Sequence, residues 1–315
     1  MGNVTQGSVD AVSSLQLAVY GCGSWGQNII STVLECEKNW PVELDSIVHT
    51  GNPTNKQSII NQFNREPVPS ENVDSGRFDA VFIATPDGTH ADLVEMFLDH
   101  DCHVFVEKPL AVNPDRALSL LDKSRDTKGH LFVGHLMCYH PAIRYIESQL
   151  KSEPVKIHST RLNSFELKDG KSILTTSLIH DLSLHDLFYR TVPEVSQVQR
   201  YKSNEDTTRL DVWLEYPPGK TAHTIGSCES PVKRREYILH SEERCFYFDG
   251  IEESVKQYEL SGKKYLLKEG YSGEELPLTL EIKDFLSVVL GDTSTRINDN
   301  HLKRVYQTIH EILSA

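Results

Sequence analysis

No stretch of this chain approaches the roughly 20 consecutive apolar residues that span a bilayer, and none of its cysteines forms a C-x-x-C pair. The first absence removes any sequence reason to expect a membrane partner. The second leaves six scattered cysteines (Cys22, Cys36, Cys102, Cys138, Cys228, Cys245), a pattern that fits free thiols in a reducing compartment better than a disulfide framework or a zinc site. Residues 1–14 lack the basic start and apolar centre of an export signal and read as a polar tail, so a cytoplasmic location is expected. Positive charge is scarce, with 32 Lys and Arg against 45 Asp and Glu and a net charge of −13. That excludes a nucleic-acid surface, which needs a concentrated positive field. The run Lys233-Arg234-Arg235 can still oppose the global sign locally. Internal repeats and low-complexity segments are absent as well.

What is present is a 315-residue chain, 38% apolar and 24% charged, large enough for two domains with cores of their own. From Leu15 to Gly134 short apolar runs alternate with helical stretches, as βαβ units require. The run Asp79–Thr85 reads as the central strand. This region predicts a doubly wound parallel sheet with helices on both faces. Beyond Gly134, β-rich runs broken by turn signals (Pro217-Pro218-Gly219, Asp249-Gly250, Ser261-Gly262) predict a largely antiparallel sheet, closed by helices over 276–290 and 300–313. The expected division is a tail at 1–14, a first α/β domain at 15–134 and a second at 135–315.

Gly21-Cys22-Gly23-Ser24-Trp25-Gly26 follows the first strand and opens the first helix, the placement a G-x-G-x-x-G dinucleotide turn requires. The first glycine permits the turn, the second admits the pyrophosphate, and the third lets helix and strand pack. The second strand ends Ile47-Val48-His49-Thr50-Gly51-Asn52, without the acid that holds ribose hydroxyls at an NAD site. A neutral to basic surface around His49, Thr50, Asn52 and Lys56 leans toward NADP.

Ala84-Thr85-Pro86-Asp87-Gly88-Thr89-His90 and Val106-Glu107-Lys108-Pro109 end the next two strands. With the glycine turn they closely resemble the glucose–fructose oxidoreductase/inositol dehydrogenase (Gfo/Idh/MocA) family, over the chain from about Leu17 to the C-terminus. Gly134-His135 and Tyr139-His140-Pro141-Ala142 resemble that family's passage into its second domain. Arg161-Leu162-Asn163, His180-Asp181-Leu182-Ser183 and Pro231-Val232-Lys233-Arg234-Arg235 resemble its branch that oxidises UDP-N-acetyl-hexosamines or their uronic acids at C3.

The resemblance implies a Rossmann domain, a second α/β domain with an open sheet, a homo-oligomer (dimer or tetramer), and NAD(P)-dependent hydride transfer on a sugar or nucleotide sugar. It implies cofactor contacts from Gly21, Gly23, Ser24, Trp25, Gly26, His49, Thr50, Thr85, Pro86, His90, Glu107 and Lys108. Lys108 and His180 are the implied catalytic pair. An ammonium polarises a carbonyl or steadies an alkoxide, and an imidazole exchanges protons near neutrality. Many relatives carry an aspartate four residues before the histidine, where this chain has Thr176; that departure keeps open a non-catalytic, cofactor-binding reading. Glycoside cleavage through a transient keto sugar is a third possibility. Arg161 and Asn163, two apart on one strand, face either substrate or water. His135 and Tyr139 line the pocket or pack; Lys233, Arg234 and Arg235 meet phosphate or form a solvated edge. A metal site from His180, Asp181, His185 and Asp186 is rejected, because His180 and His185 lie about 140° apart around a helix. Capping and surface pairing are expected of those acids.

Overall fold

The computed structural model describes residues 14–49, 51–167, 171–203, 206–261, 264–267, 276–292 and 294–315. The first half alternates as expected: β1 (Leu15–Tyr20), α1 (Ser24–Glu37), β2 (Val42–His49), α2 (Pro53–Phe63), β3 (Val68–Pro69), β4 (Ala80–Ile83), α3 (His90–Leu98), β5 (His103–Glu107), α4 (Pro114–Ser124) and β6 (Leu131–Gly134). The six strands form one sheet in the order β3-β2-β1-β4-β5-β6, with every pairing parallel. This is the doubly wound dinucleotide-binding order. All four residues of β4 are buried, because parallel strands are covered on both faces. The two-residue β3 has no hydrophobic period and was not expected from the sequence.

Helix starts follow a repeated local device. Asn52 and Asn113 cap α2 and α4, each accepting two backbone N–H bonds, and a proline occupies the first helical turn. His140 caps α5 (Pro141–Gln149) in the same way, accepting from the Ala142 N–H. The cap meets donors the helix leaves unpaired, and proline gives up a donor that had no partner there.

The second half contains β7 (Lys156–Ser164), α6 (Ile179–Tyr189), β8 (Glu194–Ser203), β9 (Asp206–Tyr216), β10 (Lys220–Ser227), β11 (Glu229–His240), β12 (Arg244–Asp249), β13 (Ser254–Ser261), β14 (Lys264–Leu267), α7 (Pro277–Val289) and α8 (Asp299–Ser314). The eight strands order as β14-β13-β12-β11-β7-β10-β9-β8. Only β7 and β10 pair parallel among the described residues; the other pairings are antiparallel. A π-type turn at Leu174–Leu178 leads into α6; such a turn leaves no mark in hydrophobic periodicity.

Across the expected division at residue 134, the closing helices return to the first sheet. Phe82, Phe105 and Phe132 are in register on neighbouring strands. Phe285 of α7 meets all three rings, at centroid distances of 5.2, 5.7 and 5.7 Å. The Leu110 N–H donates to the Tyr306 hydroxyl of α8 at 2.6 Å. One face of the parallel sheet is thus closed by sequence from the far end of the chain, since its apolar surface exceeds what its own crossover helices cover.

Candidate active site

The glycine turn divides its three glycines by physical demand. Gly21 has φ +114°, and a Cβ there would lie 2.3 Å from the Ala84 carbonyl oxygen. A Cβ on Gly26 would lie 1.9 Å from the Gly21 carbonyl oxygen. Gly23 differs: its φ is −67°, and a Cβ would meet nothing within 4 Å. Neither backbone nor packing requires glycine at 23, so the space in front of it is left for something else. It caps α1 without a side-chain hydrogen bond, and the first turn carries no acid. The helix N-terminus therefore presents open N–H groups and its positive dipole end, which suits a pyrophosphate. Nearby, the buried Trp25 indole N–H acts on the Glu107 carboxyl and opposes the rise in its pKa that burial causes. These residues fit a dinucleotide.

At the end of β2, His49 Nδ1 accepts from the Gly51 N–H at 3.0 Å, while its buried Nε2 has no partner. Thr50 lies outside the described residues. Asn52 Oδ1 is engaged in capping α2, and Lys56 pairs with Glu66 at 2.7 Å.

A cavity of about 470 Å³ runs along the carboxyl ends of β4 and β5. Trp25, Thr85, Glu107 and Lys108 line it from the first domain, with Arg161, His180 and Arg235 opposite. Lys108 Nζ donates to the Thr176 carbonyl in the π-type turn at 2.9 Å. That bond ties the end of β5 to the second domain. Burial pulls the Lys108 ammonium below its ordinary pKa, with Glu107 and Asp87 opposing. Burial likewise holds Glu107 up at about 7. His180 Nδ1 is buried without a partner. Burial first, then the positive charges of Lys108 and Arg161, hold its pKa well below the usual histidine range. The imidazole is therefore held neutral, with one ring nitrogen unpartnered.

Several expected residues have other work. His90 is buried, with Nδ1 2.7 Å from the Pro109 oxygen and Nε2 2.8 Å from the Thr85 oxygen; it borders the cavity but staples two loops of the site. Tyr139 is not a pocket residue: it is buried and donates to Asp284 Oδ2 at 2.5 Å. His135 is also buried and lines neither this cavity nor its neighbour. Ser24 and Pro86 are exposed, each next in sequence to a residue that lines the cavity, Trp25 and Thr85. Surface pairing of the α6 acids is overturned. Asp181 accepts from Arg161 Nε at 2.8 Å and Nη2 at 3.3 Å, Asp186 holds Arg304 and His301, and His185 Nε2 meets Thr224 Oγ1 at 3.2 Å. Nearly every residue of α6 is buried, so its charges require partners inside. Asn163 lies in a recess of about 260 Å³ beside the main cavity, with Phe165, Thr176, Ser177 and Lys233. Leu136 and Met137 also border the main cavity; nothing in their sequence setting separates them from core residues.

Comparison with known proteins agrees with this geometry. The model of an oxidoreductase family with an NAD-binding Rossmann fold, Gfo/Idh/MocA, matches residues 15–135. The chain is 30% identical over 229 residues to UDP-N-acetylglucosamine 3-dehydrogenase of Acidithiobacillus ferrooxidans, covering 70% of this chain and 73% of that one. It is 30% identical over 172 residues to D-xylose 1-dehydrogenase (NADP(+)) 2 of Haloferax volcanii, 49% of this chain and 51% of that one. The solved structure of the Acidithiobacillus enzyme superposes with a TM-score of 0.83 at 19% identity, over 96% of this chain and 98% of the other. With a parallel dinucleotide-binding sheet, a mostly antiparallel second sheet and this sequence kinship, the chain belongs to the Gfo/Idh/MocA family of oxidoreductases.

Proposed function

We propose that this protein transfers a hydride between NAD(P) and a secondary alcohol of a sugar or nucleotide sugar, at C3 in the nucleotide-sugar case, with His180 and Lys108 as the reacting groups. One observation carries the reading: Lys108, at the end of a strand beside the dinucleotide turn, and His180, from the other domain, line a single cavity. The Gly21–Gly26 turn, Thr85 and Glu107 would hold the dinucleotide, which supplies the hydride acceptor or donor when bound. His180, kept neutral by burial, takes the hydroxyl proton in the oxidative direction and returns it in the reductive one. Lys108, anchored on the Thr176 carbonyl, steadies the developing alkoxide. Thr176 contributes its backbone oxygen, so the aspartate found in relatives is not needed to place the lysine. The carboxylate-free end of β2 and the unpartnered His49 Nε2 support NADP(H), as does the NADP(+) in the name of the Haloferax relative.

The test is Lys108→Met and His180→Ala, assayed with UDP-N-acetylglucosamine, xylose and inositol as candidate substrates. Each variant is expected to bind dinucleotide as the wild type does while losing turnover by about 10²-fold or more. A wild-type protein that turns over no sugar, with neither substitution altering any dinucleotide-linked reaction, would replace catalysis by cofactor binding alone.

A further inference from the structure

Two lysines cross between the domains beside the main cavity, in opposite directions. Lys108, just past the end of β5, donates to the Thr176 carbonyl of the second domain at 2.9 Å. Lys171, just before the π-type turn that holds Thr176, places Nζ 3.0 Å from Oδ1 of Asp87 in the first domain. The hydride chemistry uses the first lysine and has no part for the second. The Lys171–Asp87 pair is half-buried, with side-chain exposures of 34% and 20%, and an ion pair that open to water adds little to stability. Its consequence lies in where it holds the carboxylate.

Asp87 lines the same cavity as Lys108 and acts on the ammonium through space. Other groups reach Lys108 from every side: Glu107 on β5, Arg161 from β7 and Lys171 ahead of the π-type turn, with His180 on α6 and His135 beyond β6. Of the acids, Glu107 is held up at about 7 by burial, with the Trp25 indole N–H acting on it. Asp181 is committed to Arg161 through Nε and Nη2. Asp87 therefore stands apart, as a carboxylate on the cavity wall whose engagement depends on one half-exposed lysine. Lys108 forms no ion pair among the described residues, and the bond its Nζ makes is to a neutral carbonyl. An ammonium on a neutral oxygen keeps its charge for a developing alkoxide, whereas one closed onto a carboxylate does not. A buried ammonium is drawn to any carboxylate within reach, because burying a charge is costly unless it is paired.

We propose that Lys171 is a positioning residue for the hydride reaction: by holding Asp87 it keeps that carboxylate off Lys108, whose ammonium then rests on the Thr176 carbonyl and faces the substrate oxygen. The word reaction rests on the hydride-transfer reading; the placement of the charges does not. Lys171 adds to the effect through its own charge, which disfavours the Lys108 ammonium where Asp87 favours it.

The experiment reads the ammonium directly, without dinucleotide or substrate: competitive acetylation by acetic anhydride across a pH series, with Lys108 followed by peptide mass spectrometry. In Lys171→Met the released carboxylate favours the charged form, so Lys108 should acetylate about three-fold or more slowly than in the wild type near pH of about 8. Asp87→Asn should act in the opposite direction. The double variant, Lys171→Met with Asp87→Asn, loses both charges and should return to the wild-type rate, and Lys171→Arg should keep it. Turnover should follow the same order, with kcat about ten-fold lower in Lys171→Met and recovered in the double variant. A Lys108 labelling curve in Lys171→Met that matches the wild type, or a double variant that labels no faster than Lys171→Met, overturns the proposal. The expected labelling pattern without sugar turnover in any variant would support the placement of Lys108 and remove the hydride reading instead.

Discussion

Adding one methyl group to each of two glycines in the same turn should give opposite phenotypes. In Gly26→Ala the new Cβ would sit 1.9 Å from the Gly21 carbonyl oxygen, a backbone atom that cannot swing aside. Helix α1 must then lift from β1, and overpacking of this kind costs about 1–3 kcal/mol or more. In Gly23→Ala the Cβ meets nothing within 4 Å, and φ is −67°, so only the small difference between glycine and alanine as helix caps remains, about 1 kcal/mol or less. The methyl does occupy the approach to the N–H groups of the first turn. Losing one charge-assisted hydrogen bond there costs about 1.5–3 kcal/mol, which weakens dinucleotide binding at least about ten-fold. Urea unfolding and calorimetric titration of NADPH, run on both variants, separate the effects. Gly26→Ala should lose stability first and binding as a consequence; Gly23→Ala should lose no more stability than the small cap penalty and lose binding well beyond it. Wild-type affinity in Gly23→Ala would refute the argument that the open space is the phosphate site.

Other consequences can be checked independently. NADP(H) should bind at least as tightly as NAD(H) in competitive titration at fixed ionic strength; a clear preference for NAD(H) would mean that the end of β2 serves ribose hydroxyls without an acid. Asp181→Asn removes one partner of a buried pair and should destabilise the fold by about 3–5 kcal/mol in urea unfolding, an effect that a surface pair would not produce. Tyr306→Phe strands the buried Leu110 N–H and should cost about 1–3 kcal/mol, testing whether α8 belongs to the first domain's core. His185, whose pKa burial lowers to about 3, takes up its proton in the unfolded chain near about 6.5. The unfolded state therefore binds more protons from there down to about 3, and stability is lost as pH falls through that window. His185→Gln removes this contribution, so its stability deficit against wild type should narrow between pH of about 7.5 and about 5; a constant deficit would show that His185 is not buried neutral.

The cofactor half of the site was legible because its chemistry is local. A strand, a turn of three glycines and a helix start are contiguous in sequence, and each glycine answers a demand made within a few residues or by the neighbouring strand end. Lys108 and Glu107 were legible for the same reason, since the carboxyl end of a parallel strand points into the ligand crevice wherever the sheet lies. The substrate half was only partly so. Alternation on β7 places Arg161 and Asn163 on one face, but whether that face meets water or a cavity depends on which strand pairs with it. That strand is β11, which brings Arg235 opposite Arg161. The buried partners of α6 show the same limit: Asp181 finds Arg161 across 20 residues, and Asp186 finds Arg304 across 118. Periodicity reads a helix as exposed wherever charges recur, because it cannot see a counter-charge arriving from another element. For Tyr139 and His135 the sequence left pocket lining and packing equally open, and tertiary packing buries both, Tyr139 on Asp284. The sequence by itself determined most of the elements, the dinucleotide turn and the lysine beside it, through interactions a few residues long. Tertiary structure alone decided which polar groups are buried in pairs and how the C-terminal helices complete the first core, since each depends on contacts whose free energy appears only when distant segments have met.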